Sequence, residues 1–228
     1  MPQSTLALDA FVPPLAPAVV LAFLGASALL AASAVGSAIA LAGRRFRLAK
    51  ILVGAGLVVA VGYAALLFGA ALFSDERTLR LGEKKYFCEI DCHLAYSIAG
   101  SESAGPRARA VTLRTWFDPS TIASFRGNAP LTPNPRVVYL VDDSGRRYAP
   151  SALATRAWEE RHGASTPLTR ELRPGESYTT TFVFELPDGA RRPRLLLADP
   201  VGIETLLIGH ENSPSHGKSY FELPRETL

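Results

Sequence analysis

Two cysteines and a histidine stand together in the sequence, and they are the residues best suited to chemistry. Cys88 and Cys92 are the only cysteines among 228 residues, and His93 follows the second directly. Such a set can form a disulfide, hold a soft metal ion such as copper or zinc, or resemble a haem attachment point. The choice depends on whether the segment is a strand or a loop and on the compartment that it occupies.

The local pattern around the cysteines is that of a strand. Apolar residues and both cysteines share one parity across residues 86–98, whereas His93 falls on the other. At about 3.3 Å per residue, a regular strand would hold Cys88 and Cys92 about 13 Å apart, whereas a disulfide needs Cα atoms within about 7 Å. A straight strand therefore predicts two reduced core cysteines, and a turn at residues 89–91 predicts a linked pair or a shared metal.

A copper site is one alternative, because Cys-x-x-x-Cys is similar to the spacing in copper-delivery and binuclear-copper proteins. Cys88, Cys92 and His93 would supply two thiolates and an imidazole, and copper would be the cofactor. Further ligands would come from His210, His216 or His162, and the first two lie in a polar loop late in the chain. A solvated loop histidine is the competing interpretation for both.

Other assignments fit the sequence less well. His162 is the remaining histidine, and Met1 is the only methionine, so a thioether ligand within the same loop is absent. Covalent haem attachment uses Cys-x-x-Cys-His, and this chain has one additional residue between its cysteines. The sequence contains no nucleophile elbow, phosphate-binding loop, dinucleotide fingerprint or zinc-protease motif. We therefore expect no catalytic residues, no small-molecule substrate and, unless copper binds, no cofactor.

Two long uncharged runs precede the cysteine segment. Residues 15–42 and 51–73 contain no charged side chain. Each exceeds the roughly 20 apolar residues that a helix needs to cross a hydrocarbon core, so both predict transmembrane helices. A cleaved signal peptide is disfavoured, because residues 1–14 have no Lys or Arg and the first run is too long for its apolar region. Residues 15–73 are thus predicted to be a two-helix membrane anchor.

The connector between the runs predicts the orientation. Residues 43–50 carry four basic residues and no acidic one, so the positive-inside rule places them in the cytoplasm. Both termini would then be extracytoplasmic, and the protein would be a multi-pass protein of the cytoplasmic (inner) membrane. The net charge of +3 arises from this connector, because the chain beyond residue 73 holds equal numbers of bases and acids. Nucleic-acid binding is therefore not expected.

Small residues recur every four positions in both runs and favour a close helical hairpin, because they let two helix backbones approach. They are Ala28, Ala32, Gly36 and Ala40 in the first run, and Gly56, Ala60 and Ala64 in the second. Ala-rich composition produces the same spacing by chance, which is the competing explanation.

Beyond the second run, the pattern changes to short alternating segments separated by turns. Residues 178–186 and 111–117 alternate clearly, and residues 137–141 and 146–148 flank a hairpin turn at 142–145. Further strands are predicted at 87–98, 168–172, 194–198, 205–208 and 219–223. Residues 118–135 read as a long loop, and Ser151 begins a short helix that ends before Gly163. Seven or eight strands predict one extracytoplasmic all-β immunoglobulin-like sandwich over residues 74–228, with residues 1–14 as an extracytoplasmic tail.

The turn and strand from Leu172-Arg173-Pro174-Gly175-Glu176 to Phe182-Val183-Phe184-Glu185-Leu186-Pro187 resemble a family of bacterial immunoglobulin-like envelope domains of unknown function. Such domains are usually tethered to a membrane. The resemblance covers part of the outer domain, implies its fold, and brings no catalytic residues to carry over.

Two hypotheses about function follow. The first is a membrane-anchored extracytoplasmic β-sandwich that acts as a non-catalytic protein-interaction or assembly module, with membrane lipid and another envelope or membrane protein as partners. The second is a copper-binding or thiol-redox protein that uses Cys88, Cys92 and His93.

Overall fold

The computed structural model describes residues 16–87, 93–122 and 126–224. The chain forms two units. Within the described residues, the helical unit holds residues 16–75 and 201–217, and the β unit holds residues 76–200 and 218–224. The chain thus leaves the helical unit after Asp75 and returns to it once, between two strands of the β unit.

Two long helices form the helical unit. Helix α1 spans Ala16–Ala42 and helix α2 spans Phe46–Leu72, each with 27 residues. Both are long and apolar enough to cross a membrane. The turn between them is shorter than predicted, because α2 begins inside the basic connector. Arg, Leu, Ala and Lys are good helix formers, so residues 47–50, with the basic Arg47 and Lys50, join the first turns of α2.

The seam between α1 and α2 is packed through small residues. The Ser33 hydroxyl donates a 2.5 Å hydrogen bond to the carbonyl of Leu52 on the other helix. A Cβ atom on Gly56 would come within 2.6 Å of Ser33 Oγ, so only glycine fits there. Ala40 and Ala49 are buried at the end of the seam nearest the turn.

The predicted small-residue stripe is partly right. Gly36 and Ala40 of α1 lie at the seam, but Ala28 and Ala32 are exposed. The spacing of exactly four residues drifts around a helix of 3.6 residues per turn, so a stripe of four such positions does not stay on one face. Serines at 33 and 37 take the inner positions, and Ser37 donates to the carbonyl of Ser33 at 2.6 Å.

Nine strands within the described residues form two open sheets. They are β1 (Arg77–Leu79), β2 (Lys85–Phe87), β3 (Leu94–Gly105), β4 (Ala108–Phe117), β5 (Val137–Val141), β6 (Arg147–Tyr148), β7 (Ser177–Glu185), β8 (Arg194–Ala198) and β9 (Ser219–Phe221). The sheets have the orders β1-β9-β8-β5-β6 and β2-β3-β4-β7. All pairs are antiparallel except β1 with β9.

One apolar core lies between the two sheets, as in a sandwich. Its members come from alternating positions of strands in both, which is how side chains of successive residues reach one face. The most buried include Leu94, Val111, Leu113, Phe117, Leu140, Phe184, Leu195, Leu197 and Phe221.

The alternating segments are confirmed as strands where each has a partner strand. The predictions at 111–117 and 178–186 correspond to β4 and β7, and the hairpin at 137–148 corresponds to β5 and β6. The strands predicted at 168–172 and 205–208 are wrong. Leu172 forms only an isolated pair with Leu131, and Ile203–Leu206 is a short 3-10 helix. Leu172 exchanges its two backbone hydrogen bonds with Leu131 alone, and Leu207 donates its amide to the carbonyl of Glu204 within a local turn, so neither segment joins a ladder.

The short helix is confirmed with its predicted caps. Helix α3 spans Ala152–His162, the hydroxyl of Ser151 accepts from the amide of Ala154 at 3.3 Å, and Gly163 follows the last residue. Gly163 has φ of 95°, a conformation that costs glycine nothing and other residues a steric penalty.

Candidate functional site: the His93 region and a groove beside helix α3

The cysteine segment connects two paired strands. Phe87 of β2 lies opposite Leu94 of β3 in an antiparallel ladder, so the chain reverses direction between them. Cys88 and Cys92 fall outside the described residues. The continuous strand predicted over residues 87–98 is nevertheless wrong, because its two ends run antiparallel. A straight strand would separate the two thiols by about 13 Å. The pairing of Phe87 with Leu94 excludes such a strand.

His93 follows the cysteine segment and is buried, with 2% of its surface exposed. Its ring stacks on Phe117 with centroids 5.7 Å apart, and its Nδ1 lies 2.7 Å from Oγ1 of Thr121. The Thr121 hydroxyl donates its proton to the carbonyl of Asp118 at 3.0 Å. The Thr121 hydroxyl therefore links the His93 ring to the backbone of Asp118.

Asp118 fastens the same region. Its backbone amide donates to the carbonyl of His93 at 2.8 Å, and its carboxylate accepts from the Tyr86 hydroxyl at 2.7 Å and from Ser120. Burial opposes ionisation of this carboxyl, but the hydrogen bonds from Ser120 and Tyr86 outweigh burial and lower the pKa of Asp118. Burial and the neighbouring carboxylate raise the pKa of Tyr86. The arrangement holds the ends of β2 and β4 in place.

The other histidines have local partners. His162 stacks on Trp158 with centroids 3.8 Å apart. Nδ1 of His210 accepts from the amide of Asn212 at 3.0 Å, and Nδ1 of His216 lies 2.8 Å from the carbonyl of Gly217. Among the described residues, no three His, Cys, Asp or Glu side chains gather where a metal ion could bind. This statement does not include Cys88 and Cys92, which lie outside the described residues.

Several carboxylates of the β unit have structural partners. Asp142 accepts from Ser144 and from the Tyr148 hydroxyl in the turn between β5 and β6. These bonds lower the pKa of Asp142 to about 2. Asp199 pairs with the buried guanidinium of Arg136, and Glu159 accepts from the amide of Ser165 at 3.1 Å.

A surface groove of about 780 Å³ lies between α3 and the β3–β4 hairpin. Its lining combines small residues with larger or charged ones. The small ones are Ala104, Gly105, Ala108, Ala154 and Ala157, and the others are Pro106, Arg107, Arg161, Val183, Glu185, Leu186 and Pro187.

Trp158 secures the wall of this groove. It is buried against Ala110 and Val183, and the small residues Ala108 and Ala154 pack on the same cluster. Because an indole buries a large area, one such residue can hold a short helix on a sheet.

Two arginines, Arg107 and Arg161, are among the lining residues of the groove. Arg161 donates from Nε to the carbonyl of Ala157 at 3.1 Å, and its guanidinium lies over the Trp158 ring. Arg107 is paired with Asp188, and both side chains are mostly exposed, so the pair adds little stability.

Sequence reasoning predicted α3 but missed the groove. Its signal was present, because Ala154, Ala157 and Arg161 stand three and four positions apart and therefore share one face of the helix. The opposite wall is the β3–β4 hairpin. This hairpin is far from α3 in the sequence, so the sequence pattern does not indicate that the two lie side by side.

The chain has no match among family models or curated proteins. It is similar to three solved bacterial structures. A secreted protein from Mycobacterium tuberculosis, MPT63, has 13% identity and a TM-score of 0.40, over 64% of this chain and 97% of that one. The yjhA protein from Bacillus subtilis has 12% identity and a TM-score of 0.37, over 64% and 98%. A conserved hypothetical protein from Bacillus anthracis has 15% identity and a TM-score of 0.35, over 52% and 87%.

Proposed function

We propose that the protein is a two-span protein of the cytoplasmic membrane that presents an extracytoplasmic immunoglobulin-like domain as a non-catalytic protein-interaction or assembly module. Its partners would be membrane lipid and another envelope or membrane protein. The observation that carries the anchor is the exposed apolar surface of the helical hairpin.

Large apolar side chains cover the outward faces of α1 and α2. Leu21, Ile39, Ile51, Val58 and Leu66 each expose more than 60% of their surface. A soluble protein rarely exposes a contiguous apolar area of this extent. The hairpin seam is packed by small residues and one serine hydrogen bond, so the exposed surface matches a lipid environment.

The orientation follows from the charges at the turn. Arg44, Arg45, Arg47 and Lys50 lie at one end of the hairpin, and this end belongs in the cytoplasm by the positive-inside rule. The β unit and both termini would then be outside. Mainly antiparallel sheets of five and four strands over one core support the immunoglobulin-like assignment.

The interaction surface that we propose is the groove beside α3. Pairing by strand addition at β7 is disfavoured, because neighbouring segments already cover that edge. Ser151 donates its amide to the carbonyl of Val183, whose own amide donates to Oγ1 of Thr155. The amide of Thr181 donates to Oγ of Ser165. On this side of the β unit, a partner would therefore contact side chains of the groove and not the edge of β7.

The test places a large side chain in the groove and leaves Trp158, which holds α3 on the sheet, unchanged. Ala157 lines the groove and is exposed, and Ala152 is an exposed alanine of the same helix that does not line it. Cross-linking of the full chain in native membranes should capture fewer partner proteins with Ala157→Arg, and the same set with Ala152→Arg. An unchanged set with Ala157→Arg would argue against the groove. An unchanged set after deletion of the whole β unit would argue against the interaction function.

Copper binding or thiol redox chemistry is a second proposal, supported by the pairing of Phe87 with Leu94, which brings the two ends of the cysteine segment together. Cys88, Cys92 and His93 all stand between these paired residues and would supply two thiolates and an imidazole to a soft metal ion. The test adds copper to the full chain and counts bound ions. His93→Ala should abolish binding and His162→Ala should not, and absence of binding to the parent chain would remove this proposal.

A further inference from the structure

The segment Val201–Gly217, between β8 and β9, belongs to the helical unit. Its first part includes the 3-10 helix Ile203–Leu206 and is rich in aliphatic side chains. Five of the eight residues from 201 to 208 are Val, Ile or Leu, and Glu204 is the one charged residue among them. Such a composition is unusual for a loop in water, where polar residues dominate.

Two hydrogen bonds fix this segment along the end of α2. The Tyr63 hydroxyl donates to the carbonyl of Leu206 at 2.7 Å, and the amide of Gly217 donates to Oγ of Ser74 at 2.8 Å. Tyr63 stands nine residues before Leu72, the last residue of α2, which corresponds to about 13 Å along the axis. The segment therefore runs beside the last turns of α2, which are apolar throughout.

Several backbone groups of the segment have hydrogen-bond partners within the helical unit. The amides of Thr205 and Leu207 donate to the carbonyls of Gly202 and Glu204 at 3.2 and 3.0 Å. The carbonyl of Leu207 accepts from Ser213 Oγ at 2.5 Å. Together with the bond from Tyr63, these contacts give partners to part of this non-helical backbone, which is needed at membrane depth because water is not available there.

The aliphatic side chains remain exposed. Val201, Ile203 and Leu206 expose 88%, 68% and 47% of their surfaces, and Leu66 of α2 exposes 62%. We propose that residues 201–208 insert into the outer leaflet, with these side chains against the upper acyl chains of the lipid. This inference rests on the proposed membrane anchor, and it makes the β8–β9 connection a third lipid contact besides the two helices.

The test measures the depth of single added tryptophans in the full chain, reconstituted into phosphatidylcholine vesicles. The lipid carries bromine near the headgroup end of its acyl chains, which quenches indole fluorescence on contact. Ile203→Trp and, independently, Val201→Trp are compared with Leu66→Trp on α2. The signal of the native Trp116 and Trp158 is subtracted by measuring the parent chain.

We expect Ile203→Trp and Val201→Trp to lose as much fluorescence in brominated lipid as Leu66→Trp does. Quenching of Leu66→Trp alone would overturn the insertion of the segment but would still support the membrane anchor. The same pattern would be observed if a protein partner, and not lipid, covered the segment. Absence of quenching in all three variants would overturn the anchor and the insertion together.

Discussion

The Tyr86 hydroxyl on β2 donates a 2.7 Å hydrogen bond to Oδ2 of Asp118, which lies just beyond the end of β4. Oδ1 of the same carboxylate accepts from the amide and the hydroxyl of Ser120 at 2.9 and 2.6 Å. Asp118 is buried, so its charge depends on these donors. One carboxylate thus ties a short outer strand, β2, to the loop that follows the central strand β4.

Tyr86→Phe removes one donor from this carboxylate and leaves the rest of the side chain in place. We expect the free energy of unfolding to fall by about 1.5–3 kcal/mol, the range for hydrogen bonds to a charged group. The measurement is denaturant-induced unfolding of the full chain in detergent, followed by tryptophan fluorescence. Tyr139→Phe is the control, because within the described part of the chain the Tyr139 hydroxyl has no side-chain hydrogen bond. Equal losses in both variants would contradict the role of Asp118.

The lowered pKa of Asp142 predicts that the stability of the folded chain decreases in acid. Hydrogen bonds from Ser144 and Tyr148 lower its pKa to about 2 in the folded chain, whereas an unfolded Asp titrates near pH ~3.9. A lowered folded pKa stabilises the protein fully above pH ~3.9, and this contribution is lost as the pH falls towards about 2. Asp142→Asn should therefore be less stable than the parent at neutral pH, and the two unfolding midpoints should converge in acid. A gap that does not change with pH would contradict this prediction.

The sequence predicted the helices, α3 and the central strands because each has a strong local cause. Uncharged runs define α1 and α2, Ser151 and Gly163 bound α3, and β4 alternates between an apolar and a polar face. These signals depend on residues close in sequence, so no knowledge of the tertiary fold was needed.

The chain reversal after β2 was missed for an identifiable reason. The buried residues of β2 are Lys85 and Phe87, whereas those of β3 include Leu94 and Tyr96. The prediction took Tyr86 as an inward residue, because it shares one parity with the apolar residues that follow it. Lys85 lies in the core because its Nζ donates to the carbonyl of Leu197 at 2.7 Å. That acceptor belongs to the opposite sheet, so the sequence around Lys85 contains no sign of it.

The reversal between Phe87 and Leu94 leads to a prediction about the cysteines. The compartment outside the cytoplasmic membrane is oxidising, so we expect Cys88 and Cys92 to form a disulfide with each other. Mass spectrometry of the full chain after alkylation should detect no modified cysteine without reductant and two with it. Cys88→Ser should leave one thiol that reacts without reductant. Two reactive thiols in the unreduced parent chain would contradict both the disulfide and the extracytoplasmic location.

The helical hairpin provides a matched pair of glycines for a packing test. A Cβ on Gly56 would lie 2.6 Å from Oγ and 3.2 Å from Cβ of Ser33, whereas a Cβ on Gly54 would meet nothing within 4 Å. Ser33 cannot turn away without losing its hydrogen bond to the carbonyl of Leu52. Gly56→Ala should therefore force α1 and α2 apart and cost about 1–3 kcal/mol, as overpacking does. Gly54→Ala should be neutral or slightly stabilising, because alanine favours the helix. Resistance of the full chain to unfolding by added sodium dodecyl sulfate measures both effects. Equal resistance of the two variants would mean that α1 and α2 do not pack against each other through Gly56 and Ser33.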